Sequence, residues 1–313
     1  MNKHFRFKQL LSLTTLAIIF FLSSCEKEIN VNLSESEKQL VVQGSIEKNE
    51  LPYVSLTNSI GFFDKIDLGS IQYIHGADII VKDLSNKDSI RLKEYNIDTT
   101  VGNQTFNFSI YGPDFNDPIA MAFKGKEGHI YQLSILYNGK LHTSATQIPA
   151  NLGLDSIWTE PVPNKEDSFA VVYVKYSDPD TFGNSIRYET LVNKMNKNGS
   201  PEIYYTAFNS VYNDDIINGT TVPFSIDMGY DKSKNYSNQE LQTLGYINRG
   251  DTVTLKWSTI DKSVYRFWET VAFAAGSVGN PFASPIKIQG NITDALGVWA
   301  GYNPMLYKIA DTL

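Results

Sequence analysis

One cysteine, Cys25, stands in a chain of 313 residues. A lone thiol excludes an intramolecular disulfide and any site that needs several thiolates. Histidine is nearly as scarce: beyond the first 24 residues only His75, His129 and His142 occur, and none has the H-E-x-x-H or related spacing of a metal site. Neither G-x-S-x-G nor the phosphate-cradling patterns G-x-G-x-x-G and G-x-x-x-x-G-K-[ST] are found. After residue 24 there is no further long apolar run, heptad repeat or low-complexity tract. Basic residues are also in deficit, with 27 Lys+Arg against 34 Asp+Glu. Such a surface repels nucleic acid and anionic head groups.

What is present begins with a leader. Residues 1–24 carry Lys3, Arg6 and Lys8, then an apolar stretch from Leu10 to Leu22, then small residues. This is the three-part form of a secretory signal, too short for a membrane-spanning helix of about 20 apolar residues. The stretch Leu22-Ser23-Ser24-Cys25 resembles the lipobox of bacterial lipoproteins. Cleavage between Ser24 and Cys25, and acylation of Cys25, are therefore expected. The expected partner is a membrane, reached through lipid on Cys25, and durable anchoring needs more than one acyl chain. Loss of the three leader cations takes the net charge from −7 to −10. Residues 25–38 are polar and acidic, a tether reaching at most roughly 45 Å. Its start, Glu26-Lys27-Glu28, partly resembles the short charged signals that send some Gram-negative lipoproteins to the cell surface, and reads equally as a soluble linker. Which face of the outer membrane the protein occupies stays open.

From Leu40 onward short segments alternate between apolar and polar residues and are bounded by turn formers, the pattern of an all-β chain. "LVVQGSIE", "PYVSLTNS", "GADIIVKDL", "SIRLKEY", "QTFNFSIY" and "HIYQLSILYNGKLHTSATQIP" form a first group, 39–150. Asn138-Gly139 inside the last predicts a two-residue hairpin turn, because both positions favour positive φ. A second group, 151–313, holds "SFAVVYVKYSDPD", "SIRYETLVNK", "EIYYTAFNS", "TVPFSIDMG" and "DTVTLKWSTID". Within it, Val264, Phe267, Trp268, Val271, Ala272 and Ala275 recur at helical spacing, predicting one amphipathic helix near 261–275 with Asp261 as N-cap and Gly276 as C-cap. The Gly-, Asn- and Pro-rich tail from Ser277 is expected to form irregular loops returning to a sheet edge.

Two sets of residues invite a functional reading. "DPDTFGNSIRYE" offers Asp178, Asp180, Gly183 and Glu189 at the first, third, sixth and twelfth places of a calcium loop. Phe182 sits where an oxygen ligand belongs, however, and the flanks alternate as strands, which favours a turn. Asp214 and Asp215 form a second acidic pair that could join a cation site or serve a turn. No metal or cofactor is expected. The second set is aromatic: Phe62, Phe63 and Tyr73 in a long connection, and Trp299 and Tyr302 in the tail, are candidates for a partner surface.

Distributed along the chain, Cys25-Glu26-Lys27-Glu28-Ile29, "LVVQGSIEKNELPYVSLTNSIGFFD", "HGADIIVKD", "GHIYQLSI", the "SDPD" turn, "NDDIING", "RGDTVTLKWSTID" and "NPFASPIKIQGNITDALGVWAGY" resemble the Gram-negative lipoproteins grouped as domain of unknown function 4249. The resemblance implies an outer-membrane lipoprotein without established biochemical activity, often encoded beside a TonB-dependent transporter. It also implies two β-sandwiches, transthyretin-like or Ig-like and then fibronectin-III-like, and it transfers no catalytic residue. The leading expectation is a non-enzymatic accessory that binds such a transporter or another envelope protein. Alternatives are a carbohydrate- or glycopeptide-binding surface module and a hydrolase whose site assembles from distant residues.

Overall fold

In a computed structural model the described residues are 38–60, 71–101, 104–165, 167–193, 203–277 and 286–311. Cys25, Ser24, Phe62 and Phe63 lie outside them. The chain is mostly β, with fifteen strands and three helices among the described residues. The expected strands form largely where the alternation places them. β1 (Leu40–Glu47), β2 (Tyr53–Asn58), β3 (Asp78–Asp83), β4 (Ser89–Val101) and β5 (Gln104–Gly112) precede the short helix α1 (Pro118–Ala122). The hairpin of β6 (Ile130–Tyr137) and β7 (Lys140–Gln147) follows, turning on Asn138 and Gly139 at φ 48° and 74°.

β8 (Ser156–Pro161), β9 (Phe169–Ser177), β10 (Ser185–Asn193), β11 (Val211–Asn213) and β12 (Thr221–Ile226) come next, then helix α2 (Asn238–Leu241). β13 (Ile247–Asn248), β14 (Thr252–Ile260), helix α3 (Lys262–Ser277) and β15 (Leu296–Ala310) complete the order. "EIYYTAFNS" forms no strand. It is tied to the β10 edge through the Tyr205 to Thr190 bridge and through the Ser210 and Asn209 carbonyls, which accept from the Tyr188 amide at 2.9 Å and the Tyr188 hydroxyl at 3.2 Å.

Eleven strands make one sheet in the order β11-β10-β14-β15-β1-β2-β5-β4-β3-β6-β7, and a four-stranded sheet places β12 and β13 on β9, with β8 also on β9. The long sheet curls until β7 returns to β15. There the Gly301 amide donates to Thr146 Oγ1 at 2.8 Å, and a Cβ on Gly301 would stand 2.3 Å from the Gln147 carbonyl oxygen. Only glycine permits that approach. The curl encloses a first core of Val42, Ile46, Leu56, Ile79, Tyr131, Leu133 and Ile135, to which the tail adds Ile292 and Trp299. A second core lies between the sheets, built from Val172, Val174 and Tyr176 of β9 against Tyr188, Leu255 and Trp257. On the opposite face of the long sheet, α3 covers a third cluster that includes Val264, Val298, Ala300 and Tyr302.

The tail is therefore not a set of edge loops. β15 pairs in parallel with β1 from Leu296 to Tyr302 and antiparallel with β14 from Tyr302 to Ala310, which makes it an interior strand. This corrects the reading of Trp299 and Tyr302 as partner surface: they are 0% and 7% exposed. Residues 298–303 are buried on both faces, against the first core on one side and α3 on the other. Tyr302 Oη accepts from Trp268 Nε1 at 2.9 Å, and burial pushes its pKa up to about 12. Pro304 lies beyond the last β1 pairing, Glu47 with Tyr302, where β15 has lost one neighbour.

Asp261 caps α3 as expected, its Oδ1 accepting from the amides of Ser263 and Val264 at 2.8 and 3.0 Å. Gly276, in contrast, is inside the last turn. A Cβ there would meet the Phe208 ring at 2.6 Å, so its smallness serves packing and not a left-handed cap. Tyr73 is half-buried, bridged to Thr57 and edge-on to Phe108 at 5.8 Å. No helix among the described residues is long and apolar enough to cross a membrane.

Candidate functional site

Alternation along β9, β10, β11, β12 and β14 turns aromatic rings toward the space between the sheets. Tyr176 lies 5.7 Å from Trp257, Tyr188 5.9 Å from Tyr212, and Tyr212 5.4 Å from Phe224, which is 6.5 Å from Trp257. At one end this nest opens into a cavity of about 550 Å³, walled by Tyr176, Tyr212, Phe224 and Trp257 with Ile186 and Val222. That volume and lining are those of a small-ligand site, a mostly apolar concavity with a few polar groups at its edge. The rim carries Asp178, Asn184, Asn213 and Tyr265 beside Ile216, which is 94% exposed.

Two loops shape this rim, and the acidic residues singled out in the sequence organise them. Asp214, 2% exposed, accepts from the amides of Gly183 and Asn184 at 2.7 and 2.8 Å, clasping one loop to the other. Gly183 has φ 105°, a conformation suited to glycine. Asp178 Oδ1 accepts from the Tyr176 hydroxyl at 2.8 Å. Asp180 meets Asn218 Nδ2 at 3.4 Å, and Asp215 accepts from Asn213 Nδ2 at 2.6 Å. Glu189 does not join them; it pairs with Arg187 at 3.1 Å, and the Arg187 guanidinium in turn stacks 4.2 Å from the Trp268 ring of α3. Among the described residues no three His, Cys, Asp or Glu side chains gather closely enough to hold a metal ion. Burial, and then the Asp178 and Asp214 carboxylates, push the Tyr176 pKa far up.

The histidines lie elsewhere and each has its own bonding partner. His142 is buried, with Nδ1 3.1 Å from the Thr293 carbonyl, and His129 Nδ1 is 2.8 Å from Asp83. His75 comes nearest to a catalytic grouping, with Nδ1 2.5 Å from Glu94 Oε1. Ser109, however, donates to that same carboxylate at 2.9 Å instead of to the imidazole, so the three groups lack the serine-to-histidine bond of a triad.

Burial opposes ionisation of Glu94, but the Gly76 amide, His75, Ser109 and Tyr111 outweigh it and hold its pKa below the ordinary 4.5. A carboxylate depressed in the native state stabilises above its unfolded pKa, and that stabilisation fades as pH falls through the lower native value. Denaturation midpoints should therefore drop below about pH 5, and Glu94→Gln should shrink that drop. An acid-denaturation series comparing the two proteins checks this, and identical pH profiles would refute it. Glu127, held down by Lys48 and Asn303, contributes in the same direction.

A second concavity of about 810 Å³ is lined by Tyr205, Tyr230, Tyr236 and Tyr246 with Asp231, Lys234 and Glu240. Here the charges are already matched: Lys234 pairs with Glu240 at 3.3 Å and lies 4.9 Å from the Tyr236 ring centre.

The inter-sheet cavity was hidden in the sequence because inward aromatics on strands read as ordinary core filling. Its one local signal is the placing of Tyr176 and Tyr212 directly before the acidic turns "SDPD" and "NDD".

The architecture and this concavity define an all-β protein of two packed sheets with a binding-type cavity and no recognisable catalytic set among the described residues. Residues 26–307 match the family described as domain of unknown function (DUF4249), and the chain belongs to that family. A search of the curated proteins finds no match to it.

Proposed function

We propose that this chain is a lipid-anchored outer-membrane protein that acts by binding, as an accessory to a TonB-dependent transporter or another envelope protein, with the aromatic cavity as its binding site. The observation that carries this reading is the cavity, where apolar walls and a polar rim favour capture, whereas the grouping closest to a triad lacks a serine-to-histidine bond. The lipobox at Cys25 and the acidic body support a membrane-tethered soluble domain. Carbohydrate binding is the second reading, favoured by the tyrosine-lined groove, since Tyr230 and Tyr236 meet edge to face at 5.9 Å and share its lining with Asp231, Lys234 and Glu240.

Crosslinking in intact cells, followed by mild solubilisation, should recover an envelope protein with the wild type. Val222→Trp, which fills the cavity, should reduce that recovery about tenfold or more, the scale expected when a central pocket is lost. Cys25→Ala should leave the membrane fraction. Recovery of no envelope protein, or full recovery with Val222→Trp, would refute the reading.

A further inference from the structure

Resting on the reading of the aromatic cavity as a binding site, we infer that its occupant is an organic cation, an ammonium or guanidinium group carried on an apolar body. The rim is negative, and among the described residues its aspartates are met by neutral donors and by no cationic side chain. Its loops hold Asp178, Asp180, Asp214 and Asp215, and no Lys or Arg occurs from Tyr176 to Ile186 or from Ile203 to Ile226.

Asp178 lines the cavity at 7% exposure. Its Oδ1 is satisfied by the Tyr176 hydroxyl, but Oδ2 meets only the Gly219 amide, at a long 3.4 Å. An ionised carboxylate can accept about four hydrogen bonds, and a buried one is costly unless a cation or several donors attend it. Among the described residues no cationic side chain pairs with Asp178 or with the neighbouring Asp214, whose charge is 2% exposed. A cationic ligand would supply what Oδ2 lacks.

The walls suit the same ligand. Tyrosine and tryptophan rings attract a cation at their faces through the ring quadrupole, the more strongly where water is excluded. The protein already treats one of its own cations in this way: Arg187, 8% exposed, stacks on Trp268 and pairs with Glu189. In the cavity the corresponding ring and carboxylate are present, and no cationic side chain of the described residues pairs with that carboxylate. An anionic ligand would meet the Asp178 carboxylate in the lining, with three more carboxylates in the adjoining loops. A bare metal ion would find too few ligands, because no metal-holding group exists among the described residues. The tyrosine groove is a weaker candidate, since Lys234 already occupies its aromatic and acidic partners.

The cation can arrive as a Lys or Arg side chain of a partner protein or as a free amine, and the test separates these. Full-length lipidated protein in detergent micelles is titrated with tryptamine, with its anionic near-isostere indole-3-propionate, and with the peptide acetyl-Phe-Lys-Phe-amide, followed by calorimetry. The better cationic probe should bind about tenfold or more tightly than indole-3-propionate, the scale of one charge-assisted hydrogen bond. Asp178→Asn, which keeps the shape and an acceptor for Tyr176, should remove most of that preference. Tighter binding of the peptide assigns the cation to a partner's side chain, and tighter binding of tryptamine assigns it to a free amine.

Equal affinity for the two indoles, an undiminished preference in Asp178→Asn, or no binding of either cationic probe overturns the inference. Val222→Trp tells that failure from failure of the binding site itself. If it abolishes indole binding of either charge or crosslinking to the envelope partner, the cavity stands as a site and only its charge selectivity falls. If it changes neither, the site falls as well.

Discussion

Trp299→Ala is expected to lower stability by about 3–5 kcal/mol, the range for truncating a large buried aromatic. The side chain is fully buried in the first core although it comes from the last strand. Its ring occupies the space that Gly44 leaves free, where a Cβ would stand 2.8 Å from Cε3, and its Nε1 donates to the Tyr131 carbonyl at 2.9 Å. Asn291 grips its backbone from both sides, with Oδ1 accepting from the Trp299 amide and Nδ2 donating to the Trp299 carbonyl, each at 2.8 Å. Alanine would leave a cavity that these fixed backbones cannot close and would remove the indole donor. Trp299→Phe, which restores most of the volume and none of the hydrogen bond, should recover more than half of the loss. Equilibrium unfolding in denaturant measures both, and a cost under about 1 kcal/mol for the alanine variant would show that β15 is not anchored by this ring.

The second large effect is expected at Asp261, where Asp261→Ala should cost about 2–4 kcal/mol, combining loss of a helix cap with loss of an acceptor for partly buried donors. One carboxylate serves two regions far apart in sequence. Oδ1 caps α3 and accepts from Ser263 Oγ at 2.6 Å, while Oδ2 accepts from Thr146 Oγ1 at 2.5 Å and the Gln147 amide at 3.1 Å. Thr146 is itself the acceptor for Gly301. Asp261→Asn separates the roles: its amide oxygen can still cap the helix, but an NH₂ facing the Gln147 amide sets donor against donor. Partial recovery is therefore expected, read as an unfolding midpoint between wild type and alanine, and full recovery with asparagine would show that only the cap matters.

Legibility in the sequence followed the range of the interactions. β1, the β6-β7 hairpin and β9, β10 and β14 were readable because period-two alternation and an Asn-Gly turn are local properties, and the start of α3 because Asp261 acts on amides two and three residues away. β15 is not legible locally because Gly297, Gly301 and Pro304 have the character of strand breakers. In the structure Gly297 has φ 99° and a Cβ there would stand 1.9 Å from the Val42 carbonyl oxygen, so the glycines exist for close approach to other strands. That partner is more than 250 positions away, and no local pattern reports it. The burial of Trp299 and Tyr302 is illegible for the same reason, since aromatic residues in a Gly-rich tail have the pattern of exposed loop residues, and only the covering of both faces of the strand buries them.

By itself the sequence determined the all-β class, the acidic character and the position of the long helix α3, all of which depend on composition or on neighbours a few residues apart. The tertiary structure alone decided that the last strand joins the first in parallel, that the turn aspartates of two separate loops meet through Asp214, and that four aromatic rings from β9, β11, β12 and β14 leave a cavity among them. Each of these is a meeting of residues whose separation along the chain is bridged only when the sheets pack, so burial and close contact, not local propensity, choose it.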